Sequence, residues 1–376
     1  MKHNVFLVLG SSVVTLFLAE FFLILMGIEQ PFSGSTEKTS FYDHFTNIPP
    51  THYYSFGADI RFDDTSREFF YTKYTNNLGF VDDDVPDSFP VGTCITFGDS
   101  FTEGAGAPQR KSWPHQLEEM LDTVCQRFIF NFGIAGCDPV FSLKYFEDIL
   151  LPRKPSMVLL CINETDIGEI AIRGDKSRFL ENGKVSYRTP HELYWLFRRS
   201  RLARLIFKRL LGYDDCMWSS QRAAEEELWA ANILAETVTE FNELCKKNEI
   251  EFAVIFHPFP SSYIPGNVYS SKLGSVVEGL QDMPVLDLFT PLNKRLPSNI
   301  VDAYYWEEDG HFNEAGYGAM AEEIFDFFIN QLCPKENQEE GQLSGFPKNQ
   351  DSFSPPRQII MKQTDDNLFR GSDCPV

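Results

Sequence analysis

The spacing of apolar residues divides this chain into stretches of different period. Residues 5–28 run apolar, interrupted by Gly10, Ser11, Ser12, Thr15 and Glu20. Roughly twenty apolar residues cover a bilayer core, so the run is long enough to span one. Further along, short apolar runs read as strands: CITF at 94–97, FIFNF at 128–132, SMVLLCI at 156–162, FAVIF at 252–256 and PVLDL at 284–288. Between them the apolar period lengthens to that of a helix. Leu117, Met120 and Leu121 follow a Ser112-Trp113-Pro114 start, a second helix is expected over 139–151, and a third from Ser219 or Ser220 to Asn248, with a stripe of Leu228, Ile233, Val238 and Phe241. Strand alternating with helix predicts a five-stranded parallel sheet of flavodoxin-like α/β/α type, covered by helices on both faces. The uninterrupted apolar character of 156–162 fits a strand buried on both sides.

Three segments fall outside that alternation. Residues 30–90, rich in Tyr, Phe, Asp, Thr and Asn, read as a β-rich collar on the main domain, with a hairpin over 56–62 and 68–74. Residues 170–227 form a helical insertion, a candidate lid, where the minimal alternation needs one helix. Its stretch 193–211 carries Arg198, Arg199, Arg201, Arg204, Lys208 and Arg209, read as a solvated face or as a face toward membrane or substrate. The tail from 334 to 376 is polar and without period, and is expected to be disordered. The domain proper is thus assigned to 91–333.

Residues 1–29 are read as an uncleaved transmembrane anchor, with a cleaved signal peptide and a buried soluble helix as the alternatives. No small-x-small cleavage site follows the run. Lys2 ahead of it points to an inside N-terminus and an extracytoplasmic body. Glu20 is costly near a bilayer centre, about 2.5–3.5 kcal/mol, which makes it either a near-interface acid or a polar contact to a partner helix.

Composition narrows the function. With 43% hydrophobic and 14% aromatic residues a large core is assured, and a formal charge of -21 argues against a nucleic-acid partner, which needs a concentrated basic surface. Metal chemistry finds no His-Glu-x-x-His or Cys-x-x-Cys spacing, and no Lys-Ser/Thr follows the glycine loop at 98–106 to make a phosphate site, so neither a metal nor a cofactor is expected. Eight cysteines permit disulfides without fixing any pairing; Cys94 and Cys161 read as strand core.

The chemistry-bearing residues lie at the ends of the expected strands. The first strand runs into Gly98-Asp99-Ser100-Phe101-Thr102 and a loop with Gly104 and Gly106; the second ends in Asn131-Phe132-Gly133-Ile134-Ala135-Gly136; the third delivers Asn163 in Cys161-Ile162-Asn163-Glu164; and near the end stands Trp306-Glu307-Glu308-Asp309-Gly310-His311-Phe312-Asn313. In this order the blocks resemble those of the SGNH/GDSL-type serine esterases and lipases, and Asn77-Leu78-Gly79-Phe80 resembles the approach to the first block in envelope-anchored, acyltransferase-like members. The match is partial at the third block, where Cys161 stands for Gly and Glu164 for Asp. The resemblance implies Ser100 as nucleophile, His311 as base, an oxyanion hole from the Ser100 and Gly136 N–H groups and the Asn163 amide, and Gly133 as a tight-turn glycine. The usual acid-x-x-His spacing selects Glu308 as the triad acid; the Asp-Gly-His-Phe-Asn run selects Asp309, which is the preferred assignment. His257, at the end of the fourth strand, is the rival base.

These roles follow from acyl-transfer chemistry. A serine hydroxyl attacks once a base takes its proton, and the base needs a carboxylate to hold its tautomer. One oxyanion donor is worth about 2.7–4 kcal/mol. The expected activity is serine-dependent hydrolysis of an acyl ester outside the cytoplasm; an O-acetyltransferase or deacetylase on an envelope glycan, or a non-catalytic carbohydrate-binding descendant, are the alternatives.

Overall fold

The computed structural model describes residues 2–28, 51–122, 124, 125, 127–188, 191–263, 273, 276, 280, 283–295 and 300–332, with side chains in the first segment described from residue 10. The expected disorder of 334–376, the first part of the collar and Cys333 and Cys374 lie outside the described residues.

In chain order the elements are α1 (Lys2–Leu25), β1 (Arg61–Thr65), β2 (Phe70–Tyr74), β3 (Cys94–Gly98), α2 (Ser100–Glu103), α3 (Trp113–Asp122), β4 (Ile129–Gly133), α4 (Pro139–Tyr145), β5 (Met157–Ile162), α5 (Thr165–Arg173), α6 (Tyr194–Arg199), α7 (Arg201–Leu205), α8 (Ser220–Lys247), β6 (Glu251–Phe256), β7 (Val285–Asp287), α9 (Phe289–Arg295), α10 (Ile300–Tyr304) and α11 (Glu314–Phe327). The five strands are parallel, as the alternation predicted, and lie in the order β4-β3-β5-β6-β7. The chain runs outward from β3 to β4 and then resumes on the other side at β5. The order therefore reverses beside β3, where open α/β sheets place their ligands at the carboxyl ends of the strands.

Strand alternation sorts the core into two layers. Val158, Leu160 and Ile162 of β5, with Ile95 and Phe97 of β3, face α4, α5 and α8. Met157, Leu159 and Cys161, with Cys94, face Trp113, Leu117 and Leu121 of α3, Leu292 of α9 and Ile324 of α11. Each large side chain so buried contributes about 1.5–3 kcal/mol. The 28-residue α8 begins where the sequence put it, with the Ser219 hydroxyl accepting from Arg222 N–H. Its buried stripe is Ala230, Ala231, Leu234, Val238, Phe241 and Cys245, whereas Leu228 is 64% exposed.

The collar hairpin pairs β1 with β2 antiparallel, from Arg61 opposite Tyr74 to Thr65 opposite Phe70. Its first strand starts five residues later than the apolar pattern suggested. Asn76 holds the approach to β3, its Oδ1 accepting from Leu78 and Phe80 N–H, and Gly79 takes a left-handed φ of +85°.

Within the insertion, the stretch 193–211 is two helices rather than one. Ser200 breaks the stretch and caps α7 by accepting from Ala203 N–H; the helix then continues over 206–210 with a wider, π-type turn. Packed against α7 is α1. The Glu20 carboxylate accepts from Ser200 Oγ at 2.7 Å, Arg201 N–H at 2.7 Å and Leu202 N–H at 2.9 Å. The polar contact to a partner helix read for Glu20 is present, and that helix belongs to the same chain. Among the described residues no helix is long and apolar enough to cross a membrane.

Candidate active site

The turn after β3 is shaped by close packing. A Cβ on Gly98 would collide with Thr102 Oγ1 and stand 3.0 Å from Cys161 Cβ, so a side chain at 161 in place of the resemblance's glycine is accommodated by the glycine at 98. Asp99 then caps α2, its Oδ1 accepting from Phe101 N–H at 2.9 Å, and Ser100 becomes the first residue of that helix. Gly133 corrects the expectation of a tight-turn glycine. It is the last residue of β4, and a Cβ there would stand 2.5 Å from the carbonyl carbon of Thr102. Its role is to let β4 approach α2.

Ser100 Oγ lies 2.7 Å from His311 Nε2, and His311 Nδ1 lies 2.6 Å from Asp309 Oδ1. Three residues up to 211 positions apart thus form one hydrogen-bonded chain. Of the two acids weighed from the sequence, Glu308 faces outward, 3.5 Å from Arg67, with its side chain 59% exposed. Gly310, at φ +83°, makes the turn that returns His311 toward Asp309. Burial disfavours the imidazolium of His311, but the hydrogen bond and charge of Asp309, with Asp99 and Asp64 beyond, outweigh it and raise the pKa above the ordinary histidine value.

The structure places Gly136 in the left-handed region at φ +69°, its carbonyl accepting from Arg173 Nη1 at 2.5 Å. Arg173 and Arg178 both reach the buried Asp138, at 3.0 and 2.8 Å, so a charged network fixes the loop from below. Asn163 is fully buried. Its Oδ1 accepts from Thr165 N–H and Oγ1, both at 2.7 Å, which fixes the amide orientation. Its Nδ2 donates to Asp99 Oδ2 at 2.6 Å and lies 3.1 Å from His257 Nε2. Both amide hydrogens are therefore engaged, and a substrate oxygen would receive one only in place of the His257 contact. His257 itself is buried, with Nδ1 unpartnered, and burial lowers its pKa despite the charge of Asp99. It stands behind Asn163, its ring tilted by 41° against that of Phe101 with centroids 4.5 Å apart.

Several residues that the sequence reading missed hold this arrangement. Glu68, between β1 and β2, accepts from the N–H groups of Glu307 at 2.9 Å, Glu308 at 3.0 Å and Asp309 at 2.9 Å. Lys73 is fully buried and bridges Asp64 at 2.7 Å and the Gly104 carbonyl at 2.8 Å, while Asp64 Oδ2 also accepts from Gly106 N–H. The collar thus grips both the loop after Ser100 and the loop before His311. Glu103 accepts from Ala135 N–H at 2.7 Å; burial, only partly opposed by Lys73, pushes its pKa up to about 7. No local pattern marks these residues, because their partners are remote in sequence.

Among the described residues no group of His, Cys, Asp or Glu is arranged to hold a metal ion. Cys94, Cys137, Cys161, Cys216 and Cys245 are free thiols, with Cys94 and Cys161 buried in their strands.

A parallel five-stranded sheet thus carries a Ser-His-Asp chain at the carboxyl ends of its strands. No family model and no curated protein matches the sequence. Among solved structures the chain is similar to a member of the lipolytic protein G-D-S-L family from Veillonella parvula, at 16% identity and TM-score 0.39 over 63% of this chain and 98% of that one. It is similar also to the esterase EstA from Pseudoalteromonas, at 14% identity and TM-score 0.38 over 65% and 100% of the two chains. A third is a variant of the acetyl-xylooligosaccharide esterase Axe2 from Geobacillus, at 13% identity and TM-score 0.41 over 66% and 99%. None of these likenesses assigns a substrate; the chemistry is carried by the geometry of the site.

Proposed function

We propose that this protein hydrolyses a carboxylic ester through an acyl-enzyme on Ser100, outside the cytoplasm and held at a membrane by its N-terminal helix. The observation that carries the reading is the 2.7 Å contact of Ser100 Oγ with His311 Nε2, backed by the 2.6 Å contact of His311 with Asp309. His311 Nε2 takes the hydroxyl proton as Ser100 Oγ bonds to the ester carbon, and the carbonyl electrons move to oxygen. Backbone N–H groups of Ser100 and Gly136 receive that oxyanion, joined by Asn163 when its amide turns from His257. The intermediate then collapses. His311 returns the proton to the departing alkoxide, and a water repeats the sequence to release the acid.

Supporting the location are the apolar run at residues 5–28 and the exposure of the described part of α1, where Val13, Leu16, Phe17, Leu18, Phe21 and Leu25 are each more than half exposed. An apolar helix open on several sides is stable in lipid and poorly so in water. The test is labelling of the full chain by a fluorophosphonate, followed by turnover of acetylated glycans and short acyl esters with and without a sugar acceptor. Labelling at Ser100, lost in Ser100→Ala together with turnover, is expected; an unlabelled, fully active Ser100→Ala protein would refute the serine mechanism. Acetyl transfer to the sugar in preference to water would redirect the proposal to a glycan O-acetyltransferase using the same site.

A further inference from the structure

Resting on that membrane reading, we infer that the helical insertion is a second membrane contact. It lies in the anionic lipid interface beside α1 and is locked to it through Glu20. The contact face of α1 is narrow. Ala19, Glu20, Leu23 and Gly27 recur at helical spacing and are the half-buried or buried positions, while their neighbours are open. Against this strip stands the start of α7, whose leading N–H groups and Ser200 hydroxyl point at the Glu20 carboxylate, and Arg201 Nη1 donates to the Ile28 carbonyl at 3.2 Å. The first-turn N–H groups of a helix carry partial positive charge, so Glu20 and α7 satisfy one another.

That lock fixes a depth. With Lys2 at the inner surface, about twenty residues or ~30 Å of helix place the outer boundary of the hydrocarbon near Phe22, so Glu20 and the start of α7 lie at the boundary of headgroups and acyl chains. What the insertion presents suits that level. Trp195, Leu210 and Leu211 are 58%, 76% and 54% exposed. Between Leu193 and Leu211 there are six Arg or Lys and no acid, in a chain of net charge -21; Arg198, Arg199 and Arg209 are exposed, whereas Arg204 is buried and Lys208 pairs with Asp215 at 3.0 Å. Inward-facing Tyr194 and Phe197 pack on Met217, with Phe207 and Tyr213 beside them, which holds the helices together while Trp195, Leu210 and Leu211 stay open. Cationic flanks around exposed Trp and Leu are the composition of an interfacial helix, and the cations select phosphate-bearing lipids of net negative charge.

The experiment uses the full chain in vesicles of phosphatidylcholine alone or with phosphatidylglycerol, the lipids brominated on the acyl chain, and compares tryptophan quenching in wild type, Trp195→Phe and Glu20→Gln. Wild type should float with vesicles and be quenched more strongly when phosphatidylglycerol is present. Trp195→Phe should float equally, keep its esterase turnover and lose at least half of the quenching. Glu20→Gln should float and lose a similar share, because the insertion is released. Flotation with quenching identical in wild type and Trp195→Phe would overturn the inference and leave the anchor standing; no flotation of intact protein would overturn both. Trp195 quenching independent of phosphatidylglycerol would overturn the anionic-lipid assignment.

Discussion

Replacing Asp309 by Asn isolates the part of the site on which the base depends. Asp309 Oδ1 is 2.6 Å from His311 Nδ1 and 3.4 Å from the His311 N–H. Asparagine keeps the volume and the Glu68 grip on the backbone but removes the charge that raises the His311 pKa. Its amide can also donate where the carboxylate accepted, which stabilises the wrong tautomer and blocks Nε2 as acceptor. The loss recorded for the equivalent change in a serine protease triad is about 10⁴-fold, or ~5.5 kcal/mol of transition-state stabilisation, and the same order is expected here. Glu308→Gln gives the contrast. Its carboxylate pairs with Arg67 at 3.5 Å in solvent, an interaction worth at most about 1 kcal/mol, so turnover should fall no more than ~5-fold. The assay is kcat and KM on a chromogenic acetyl ester, with circular dichroism confirming the fold. A pH series adds a second readout. Catalysis needs neutral His311, so activity falls as pH drops through its raised pKa, and in Asp309→Asn the midpoint of whatever activity is left should move to lower pH. A severe Glu308→Gln with a mild Asp309→Asn would refute the assignment.

The other predictions concern support and titration. Glu68→Ala should lower kcat by about 10–100-fold with little change in KM, since releasing three N–H groups lets Asp309 drift by up to an ångström; Glu68→Gln, which keeps one acceptor oxygen, should fall between, and unchanged kcat in both would show the grip to be idle. Asn163→Ala should cost about 10²–10³ in kcat if its amide reaches the oxyanion, and no loss would mean that it stays with Asp99 and His257. Glu103 has its folded pKa raised from 4.5 to about 7, so the folded state holds the proton more tightly than the unfolded one. Its contribution is present below the unfolded value and lost as pH rises through about 7, by roughly 3 kcal/mol in all. Glu169, raised to about 8, acts in the same sense. The check is therefore the difference between wild type and Glu103→Gln in urea unfolding at pH 5 and pH 8.5; a variant with undiminished pH dependence would refute it.

What the sequence determined by itself were the elements with a short-range signature. Alternation and length set the five strands, because the core-facing period is written within each strand. The Gly-Asp-Ser turn and the Asp-Gly-His loop stood out because the backbone there needs glycine and the chemistry needs those side chains within a few positions. Which of two adjacent acids meets His311 was decided by tertiary structure. Glu308 and Asp309 share one loop, and their directions are set by Glu68, some 240 residues away, and by the turn at Gly310. Leu228 was misassigned for a related reason: a helix stripe read alone fixes the period and leaves the phase to the partner surface. Glu20 makes the point most sharply. One carboxylate in an apolar run has no local explanation, and the N–H groups that satisfy it arrive 180 residues later, on a helix whose start is fixed by Ser200. Hydrogen-bond complements of this kind carry no mark in either segment, so only the folded chain brings them together.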